Sequence, residues 1–371
     1  MEYRILGRTG ARVSAISLGT EYIQDADQAR MDAVVGAALA YGANYLDAWY
    51  AEPAFRDRLG NALRGRREEV LIAGHLGSTH QGGQYVRTRD ADLAEQFVLD
   101  MLERLDTDHL DVLFLHNCDE QDDLDAILAP GGLADRALAL QRQGRARWIG
   151  FSGHTPASSQ RAVETGIVDV LMFPINLTGH AAPGKAELLA ACTRANVGLV
   201  AMKPFAGGML LQPEPTIQAN RFVSAREGEL TRREPVSPVT CLAYALAHAE
   251  VSTVVPGCAT VAQVDEDLGY WKAPAALRDF SGVLESFATY QEGHCVYCNH
   301  CLPCPAEIDI AAMNRLFDRA RIQGVDDGLR QAYAAMPANA DDCLACADCE
   351  TRCPFGVAVV DRMDAARELF G

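Results

Sequence analysis

The chain contains 371 residues, of which 49% are hydrophobic and 22% charged, a composition typical of a soluble globular protein. Its formal net charge of −17 argues against nucleic acid and against an anionic membrane as partners. No apolar run reaches the length of about 18 residues that a membrane span needs, and the charged start Met1–Arg4 is not a signal sequence. We therefore expect a cytoplasmic protein with reduced cysteines.

The first 285 residues show a repeating pattern of short apolar strands and amphipathic helices. A β-hairpin is predicted first, over residues 3–14 around the turn Gly7–Gly10. The eight strands predicted after it are Ala15–Leu18, Tyr45–Asp47, Val70–Ala73, His109–Leu115, Trp148–Phe151, Val168–Phe173, Gly198–Met202 and Thr253–Val255. Helices are predicted to start near Ala29, Pro53, Asp92, Leu133, Pro156, Gly184, Pro238 and Val261. Eight such βα units predict an α/β fold, a (β/α)8 TIM barrel, as a domain over residues 1–285.

A doubly wound sheet is the structural alternative to the barrel. That fold needs a Gly-x-Gly-x-x-Gly turn after its first strand to bind a dinucleotide, and the sequence Leu18–Glu21 does not provide one. The alternating pattern stops between Leu210 and Pro238, where a long loop would follow the seventh barrel strand. We interpret it as a lid or substrate wall whose Arg221 and Arg226 favour an anionic substrate. A disordered insertion is the alternative.

Two cysteine runs dominate the chain after residue 286. The second run has the spacing C-x2-C-x2-C-x3-C-P, which is typical of two-cluster ferredoxins, and the first is one residue tighter before its last cysteine. Because the fourth cysteine of such a run usually serves the other cluster, we predict two [4Fe-4S] clusters with crossed ligation. The first set is Cys295, Cys298, Cys301 and Cys353. The second set is Cys343, Cys346, Cys349 and Cys304.

Zinc and disulfides are the alternatives for these cysteines. Zinc ribbons use C-x2-C pairs but not two runs of four ending in Cys-Pro, and disulfides are unexpected in a reducing compartment. Between the runs, Glu307–Arg321 and Val325–Met336 have helical periodicity. Residues 286–371 are therefore predicted to be an α-helical ferredoxin-like iron–sulfur domain.

Polar and titratable residues stand at successive strand ends of the predicted barrel. A barrel places its chemistry at the carboxyl ends of its strands, so these side chains are expected to meet in one active site. They are Asp47, His75, His116, Ser152, Asn176 and Lys203, followed after the eighth strand by Gly257–Thr260. A lone residue of this kind is more often structural, but a set of them favours catalysis.

Several motifs of the chain resemble those of the aldo-keto reductases. They are Leu6–Gly10 with Val13–Ser14, Asn44–Asp47, Asp111–His116, Ile149–Ser152 and Met202–Gly208. The resemblance covers essentially the whole chain and is closest to a bacterial branch that carries a C-terminal 4Fe-4S dicluster domain. It implies hydride transfer between a nicotinamide and a carbonyl or alcohol.

The family's catalytic tetrad of Asp, Tyr, Lys and His is matched only in part. Asp47 and His116 stand at the expected positions of the Asp and the His. His75 stands where the Lys is expected, and Tyr50 follows Asp47 by three residues, whereas the family's Tyr follows by five, where this chain has Glu52. The resemblance implies that Tyr50 protonates the developing alkoxide, while His75 could donate a proton itself because an imidazole titrates near neutrality.

The family's cofactor contacts are also matched in part, which implies NADP or NAD as cofactor. The residues that the resemblance assigns to this role are Ser152, Asn176, Lys203, Gly257, Cys258, Thr260, Gln263, Glu266 and Asp267. Gly153 and Met172 replace the family's Asn and Gln beside the nicotinamide amide, and Asp267 replaces a usual Asn. The backbone N–H groups of the turn Gly257–Thr260 would suit a phosphate.

The two predicted domains together point to an oxidoreductase with a small-molecule substrate. Electrons would come from NAD(P)H, from an electron-carrier protein such as a ferredoxin by way of the clusters, or from both. In a second hypothesis the clusters are structural only. The alternative class is a non-redox lyase or isomerase, or a binding or sensor protein, on a barrel that has lost nicotinamide chemistry.

Overall fold

The computed structural model describes residues 1–211, 214–217, 230–233, 235–284, 287, 293, 295 and 297–371. By their internal contacts these residues form two compact units. The first unit is Met1–Pro204 with Pro238–Glu285, and the second is Phe205–Ser237 with Ser286–Gly371. The boundary drawn from the sequence places the segment Phe205–Ser237 in the barrel, whereas its contacts group it with the C-terminal residues.

The first unit is built on one parallel eight-stranded sheet. Its strands are β3 (Leu18–Gly19), β4 (Tyr45–Asp47), β5 (Leu71–Leu76), β8 (Leu110–Leu115), β9 (Ala146–Ser152), β10 (Val170–Pro174), β11 (Gly198–Met202) and β14 (Val251–Val255). Neighbouring strands follow the order β14-β11-β10-β9-β8-β5-β4-β3. Parallel bridges between Ile16 and Val254 and between Gly19 and Gly257 join the two edges. The sheet therefore closes on itself, which confirms the predicted (β/α)8 barrel.

Helices connect the barrel strands. They are α1 (Gln28–Ala40), α2 (Pro53–Ala62), α3 (Ala91–Arg104), α4 (Gln121–Leu128), α5 (Leu133–Arg142), α6 (Pro156–Glu164), α7 (Lys185–Ala195), α8 (Pro238–Leu246), α9 (Val261–Leu268) and the short α10 (Ser281–Leu284). Side-chain caps explain several helix starts, because Asp27 accepts from Arg30 N and Asp90 accepts from Asp92 N and Leu93 N. Helix α4 was not predicted from the sequence.

The predicted N-terminal hairpin is formed by β1 (Tyr3–Ile5) and β2 (Arg12–Ser14). Leu6 and Val13, both fully buried, pack in one core with Val112, Val170 and Val200 of the barrel strands. Burying a side chain of this size contributes about 1.5–3 kcal/mol, so the hairpin is fixed to the barrel by apolar contact.

A second hairpin is inserted after β5 and was not predicted as strand structure. It consists of β6 (Ser78–Gln81) and β7 (Gln84–Arg87), paired antiparallel around Gly82 and Gly83. Both glycines have positive φ angles of 58° and 81°, a conformation that glycine adopts without steric cost. The insertion places residues 78–87 directly after the strand that carries His75.

Among its described residues, the second unit contains one antiparallel strand pair and four α-helices. The strand pair is β12 (Glu214–Ile217) with β13 (Leu230–Arg233), and the helices are α11 (Ile310–Gln323), α12 (Asp327–Ala334), α13 (Asp348–Thr351) and α14 (Val359–Phe370). The sequence predicted α11 and α12 but not α14. The interior is apolar and includes Met313, Phe317, Leu329, Met363 and Phe370.

Part of the predicted lid or substrate wall lies outside the described residues, and so do Arg221 and Arg226. Its described start contacts other residues of the second unit: Met209 packs with Tyr297 and Ala311. A Cβ atom at Gly207 would come within 2.2 Å of the Tyr297 ring. These contacts explain why the segment groups with the second unit. In the described part of the chain, no helix is both long enough and apolar enough to cross a membrane.

Candidate functional site

The carboxyl ends of three neighbouring barrel strands bring three predicted catalytic residues into direct contact. Asp47 ends β4, His75 lies near the end of β5, and His116 follows β8. Nε2 of His75 lies 2.9 Å from Oδ1 of Asp47, and Nδ1 of His75 lies 2.7 Å from Nδ1 of His116. All three side chains are buried. The barrel thus joins a carboxylate and two imidazoles through a continuous line of hydrogen bonds.

A fourth residue, Tyr85 of the inserted hairpin, extends this line. Its hydroxyl lies 2.7 Å from Nε2 of His116, and the Tyr85 side chain is 4% exposed. Asn117 Nδ2 donates to the same hydroxyl at 3.5 Å. The result is a buried relay Asp47–His75–His116–Tyr85 in which each residue hydrogen-bonds the next. We refer to these four residues below as the relay.

Other side chains fix the inserted hairpin at the barrel mouth. Ser78 donates to the carbonyl of Trp49 at 2.7 Å, and the Trp49 ring meets Tyr85 edge-on at 5.2 Å between centroids. On the other arm, Arg87 donates to the carbonyl of Asn117 at 2.8 Å, and Arg89 donates to the carbonyl of His116 at 2.9 Å. Because the backbone on both sides is held, the position of Tyr85 relative to His116 is well defined.

The two residues that the family pattern offered for its Tyr occupy other places. The Tyr50 ring packs at 5.8 Å from Phe55 and at 6.0 Å from His80, and it is half-buried. Glu52 caps helix α2, where its carboxylate accepts from Phe55 N at 2.8 Å. Both side chains therefore stabilise the start of α2 and its surroundings.

The predicted cofactor residues on β9, β10 and β11 are engaged in local hydrogen bonds. Ser152 Oγ accepts from Asn117 N at 2.9 Å. Asn176 donates to the carbonyl of Lys203 at 2.9 Å, and its Oδ1 accepts from Thr178 and Gly179. Lys203 is half-buried and has a positive φ of 52°. These contacts shape the strand ends around the mouth.

Two departures from the family pattern have a steric explanation. A Cβ atom at Gly153 would lie 2.7 Å from the carbonyl oxygen of Cys118 and 3.0 Å from Ser159 Oγ, so the backbone leaves no room for the family's Asn. Met172, at the family's Gln position, is 2% exposed and belongs to the apolar barrel core. The chain therefore does not offer an amide side chain at either place.

The predicted phosphate turn lies between β14 and α9. Thr260 caps α9 by accepting from Gln263 N at 3.3 Å, and Gln263 in turn accepts from Ala259 N at 2.6 Å. Gly257 lies beneath the Tyr22 ring, since a Cβ atom there would come within 2.2 Å of it. The turn leads directly into the N-terminus of α9, where backbone N–H groups favour an anion.

Two further predicted cofactor residues, Cys258 and Asp267, contact each other in the interior, whereas Glu266 is exposed. The Cys258 thiol donates to Oδ2 of Asp267 at 3.3 Å. Burial raises the pKa of Asp267 to about 7, against the lowering effect of the Cys258 thiol. Burial also raises the pKa of Cys258. At neutral pH, Asp267 is therefore partly protonated.

In the second unit, one cavity is lined by cysteines from both runs. The cysteines are Cys304, Cys343, Cys346 and Cys349. Apolar side chains such as Ile308, Val359 and Met363 form much of the remaining wall. Cys304 comes from the first run and the other three from the second, so the fold brings together the second predicted ligand set.

The remaining cysteines, Cys295, Cys298, Cys301 and Cys353, form a second group of neighbours. Burial raises the pKa of the Cys301 thiol, and negative charge on each of the other three thiols raises it further. The other three thiols are therefore near enough to Cys301 to influence its ionisation. The runs are tied together by Arg352, which donates to the carbonyls of Cys301 and Pro303 at 2.8 Å.

The backbone of the two cysteine runs repeats the same conformation. In the first run Tyr297 and Asn299 have positive φ angles of 52° and 64°, and in the second run Ala345 and Ala347 have 51° and 61°. Each pair lies two and four residues after the first cysteine of its run. Alternation of this kind turns successive N–H groups towards one side and is common where a loop wraps an anionic group, iron–sulfur sites included.

The sequence did not predict that Tyr85 joins Asp47, His75 and His116, although a local signal for the hairpin that carries it exists. The residues Gly82 and Gly83 separate two short segments that contain Thr79, Tyr85 and Val86, and a Gly-Gly pair between such segments indicates a hairpin. The signal predicts the turn only. The contact between Tyr85 and His116 depends on how the hairpin folds back over the barrel.

The fold and these residues define a barrel enzyme with a polar site at its mouth, and sequence comparison identifies the family. The profile described as "Aldo/keto reductase family" matches residues 14–283. The chain belongs to this family, whose members are oxidoreductases that use NAD(P)H. The family expected from the sequence motifs is thereby confirmed.

Curated relatives agree with this assignment, and a solved structure agrees with the fold. L-galactose dehydrogenase of Arabidopsis thaliana is 27% identical over 288 residues, which cover 72% of this chain and 87% of the relative. D-threo-aldose 1-dehydrogenase of a Pseudomonas species is 29% identical over 198 residues, 49% of this chain and 59% of the relative. An aldo-keto reductase from Bacillus halodurans in its holo form superposes with a TM-score of 0.61 at 23% identity, over 79% of this chain and 99% of that chain.

Proposed function

We propose that the chain is a nicotinamide-dependent oxidoreductase that interconverts an alcohol and a carbonyl compound at the barrel mouth. The observation that carries this proposal is the relay. Oxidation of an alcohol releases a hydride and a proton. A buried line of groups that can each accept and donate a proton is suited to carrying that proton away. The line lies where barrel enzymes of every characterised kind place their chemistry.

The nicotinamide cofactor, NADP or NAD, would supply or accept the hydride. The turn Gly257–Thr260 and the N-terminus of α9 would hold a phosphate through backbone N–H groups, and Gln263 already orients the turn by accepting from Ala259 N. The absence of an amide side chain at Gly153 and at Met172 means that the nicotinamide ring would be held differently from the family pattern. Shape and the remaining polar groups of the mouth would have to position it.

The substrate class follows from the relay and from the relatives. The names of two relatives refer to sugars, L-galactose and D-threo-aldose. A small hydroxylated substrate of this kind suits a mouth that offers hydrogen-bonding groups together with the half-buried aromatic ring of Trp49. The chain's role is to bind this alcohol or carbonyl near Tyr85 and to move its proton.

The second part of the proposal concerns two [4Fe-4S] clusters in the C-terminal unit. Three features support it: the cavity bordered by four cysteines, the second group of close thiols, and the repeated backbone turns of the two runs. The crossed partition puts Cys304 with the second run and Cys353 with the first. The clusters would exchange single electrons, and an electron-carrier protein such as a ferredoxin would then be a partner.

The experiment is an anaerobic titration of the iron-loaded full chain with NADH and with NADPH. Nicotinamide fluorescence reports binding, and visible absorbance with low-temperature EPR reports the state of the clusters. Binding that produces the signals of reduced clusters supports electron transfer between the two parts. Binding without cluster reduction supports an oxidoreductase whose clusters are structural. Binding of neither nucleotide contradicts nicotinamide chemistry and favours a lyase, isomerase or binding protein instead.

Iron analysis tests the clusters separately. The purified chain should contain about eight iron and eight acid-labile sulfide ions if both clusters are present. Zinc without sulfide would overturn this part of the proposal and leave the barrel part intact.

A further inference from the structure

We propose that Tyr85 is the catalytic residue that exchanges the proton with the substrate, and that the relay poises it as the base for alcohol oxidation. This inference rests on the proposed oxidoreductase function. It assigns the acid–base role to a residue of the inserted hairpin, at a sequence position unrelated to Tyr50 or Glu52.

Tyr85 is the terminal member of the relay, and a phenol is the group that can pass a proton between His116 and a bound alcohol. The opposite end is the Asp47 carboxylate, which accepts from His75. The hydroxyl of Tyr85 is 2.7 Å from His116 Nε2, so a proton can move between them without rearrangement of either side chain. The anchoring of both hairpin arms keeps this distance short.

The direction of the hydrogen bonds follows from the donor and acceptor capacity of each group. An ionised Asp47 only accepts, so Nε2 of a neutral His75 must carry the hydrogen and Nδ1 of His75 must accept. His116 therefore donates from Nδ1, and its Nε2 accepts from the Tyr85 hydroxyl. In this state every hydrogen of the relay points towards Asp47. The Tyr85 oxygen is then an acceptor towards the substrate, as oxidation of an alcohol requires.

The reaction balances with groups that the proposed function supplies. The C–H bond of the alcohol breaks and its hydride reduces the oxidised nicotinamide, while the alcohol proton moves to the Tyr85 oxygen. The phenolic proton of Tyr85 moves to Nε2 of His116, and the proton on Nδ1 of His116 moves to Nδ1 of His75. His75 then carries both hydrogens beside the Asp47 carboxylate, which stabilises this positive charge. The products are a carbonyl compound, the reduced nicotinamide and one proton, which leaves the relay for solvent.

The same geometry serves the reverse reaction when the relay carries one additional proton. His75 then donates from both nitrogens, His116 donates from Nε2 to the Tyr85 oxygen, and the Tyr85 hydroxyl points its hydrogen at the carbonyl. A single extra proton therefore changes the residue from base to acid. This is the role that the family pattern divides between a tyrosine and a lysine, carried here by a tyrosine and two histidines.

The test compares Tyr85→Phe with Tyr50→Phe in the iron-loaded full chain. Each variant loses only a hydroxyl from one aromatic ring of the barrel mouth. Turnover is measured with L-galactose and NAD⁺ or NADP⁺ for oxidation, and with benzaldehyde and NADH or NADPH for reduction. We expect Tyr85→Phe to lower kcat on the order of 10²- to 10⁴-fold in both directions, while nucleotide affinity and thermal stability remain close to wild type. Tyr50→Phe should keep turnover within a few-fold of wild type.

A second measurement separates chemistry from packing. Replacement of Tyr85 by 3-fluorotyrosine keeps the ring and makes the hydroxyl more acidic, so the pH profile of kcat should shift towards lower pH. A purely structural role would leave the profile in place. Full activity of Tyr85→Phe, or loss of activity in Tyr50→Phe alone, would overturn the assignment of Tyr85 and leave the proposed function standing. A wild-type chain that binds no nicotinamide and turns over neither probe would overturn the proposed function, and the role of Tyr85 with it.

Discussion

The barrel mouth and the cysteine-rich unit gather their functional residues in opposite ways. The relay unites Asp47, His75, Tyr85 and His116, which come from three strand ends and a hairpin. Most of the cysteines of the second unit are separated from the next by only two or three residues, and their loops repeat one backbone conformation. A site whose residues are neighbours along the chain can therefore be predicted from sequence spacing, whereas a site assembled by packing cannot.

The two regions also differ in what completes them. In the relay, protein groups satisfy one another, since each ring nitrogen of His75 and His116 has a partner within 2.9 Å. In the cysteine-rich unit, four thiols border a cavity with largely apolar walls. In the other group of cysteines, burial and the negative charge of neighbouring thiolates raise the pKa of Cys301. A set of close thiols ionises together only when a cation compensates their charge. The relay can therefore form without a bound group, whereas the cysteine-rich unit is expected to depend on the iron–sulfur clusters proposed for it.

The strongest predicted effect is a loss of iron from the cysteine-rich unit. Cys346→Ser should remove one cluster and lower iron content to about half of the wild-type value, because a hydroxyl is a poor ligand for this type of cluster. Cys346 is exposed, so the packing of the unit is little disturbed. Iron and sulfide analysis with EPR measures the change. Cys192→Ala on α7 is the matched control and should retain all of the iron; equal iron in both variants would contradict the assignment.

The second predicted effect is a reduction of kcat when the barrel mouth is altered. His75→Ala interrupts the relay between Asp47 and His116 and should reduce kcat on the order of 10²- to 10⁴-fold. Steady-state turnover with L-galactose measures this. His109→Ala, which alters a histidine just before the start of β8, is the control and should leave turnover nearly unchanged. Comparable activity of the two variants would show that the relay does not take part in the reaction.

A smaller effect is predicted for the stability of the barrel as a function of pH. Burial raises the pKa of Asp267 to about 7 in the folded chain, whereas an ordinary Asp titrates near 4. Because the folded state favours the protonated form, its contribution to stability is present at low pH and is lost as the pH rises to about 7.

Asp267→Asn removes this dependence, since an amide does not ionise. The variant should gain stability over wild type as the pH is raised, with a maximum difference of up to about 4 kcal/mol above neutrality. Urea denaturation at several pH values between 5 and 8.5, about the range in which most proteins stay folded, measures the difference. A constant difference across this range would contradict a buried, protonated Asp267.

The weakest predicted effect is a change in the stability of the folded chain when the residue after β9 is altered. Gly153→Ala should destabilise the chain by about 1–3 kcal/mol, because its Cβ would meet the carbonyl of Cys118. The control is Gly36→Ala inside α1, where a Cβ meets nothing within 4 Å and should add about 0.5–1 kcal/mol of helix stability. Thermal or urea denaturation compares them. A neutral Gly153→Ala would show that the strand end can yield and that the family's Asn is not sterically excluded.

Comparison of the predicted and observed elements shows which of them the sequence patterns predicted correctly. The alternation of strands and helices predicted the barrel, and every predicted strand overlaps an observed one. The first strand was predicted as Ala15–Leu18, but only Leu18 and Gly19 pair with β4, and Ile16 forms a separate bridge to Val254. Helix α14 was not predicted, although its buried residues Val359, Met363, Ala366 and Phe370 recur at helical spacing.

At the barrel mouth the sequence predicted three of the residues that form the relay, but not Tyr85. Asp47, His75 and His116 could be found because each ends a recognisable strand. Tyr50 was favoured for the proton-donating role because it lies near Asp47 along the chain, yet its ring packs on Phe55 and His80. Residues that are close in the sequence are also close in space at a single strand end. An inserted segment, however, can bring a distant residue such as Tyr85 into contact with His116.

Periodicity and residue spacing predicted the barrel, the family and the two cysteine runs, because these features depend on patterns that the chain repeats locally. The tertiary structure alone decided that Tyr85 meets His116, that Gly153 has no room for a side chain, and which cysteines of one run approach those of the other. The physical reason is that such contacts form between segments far apart along the chain. Their distances depend on the packing of the whole unit, which no local pattern records.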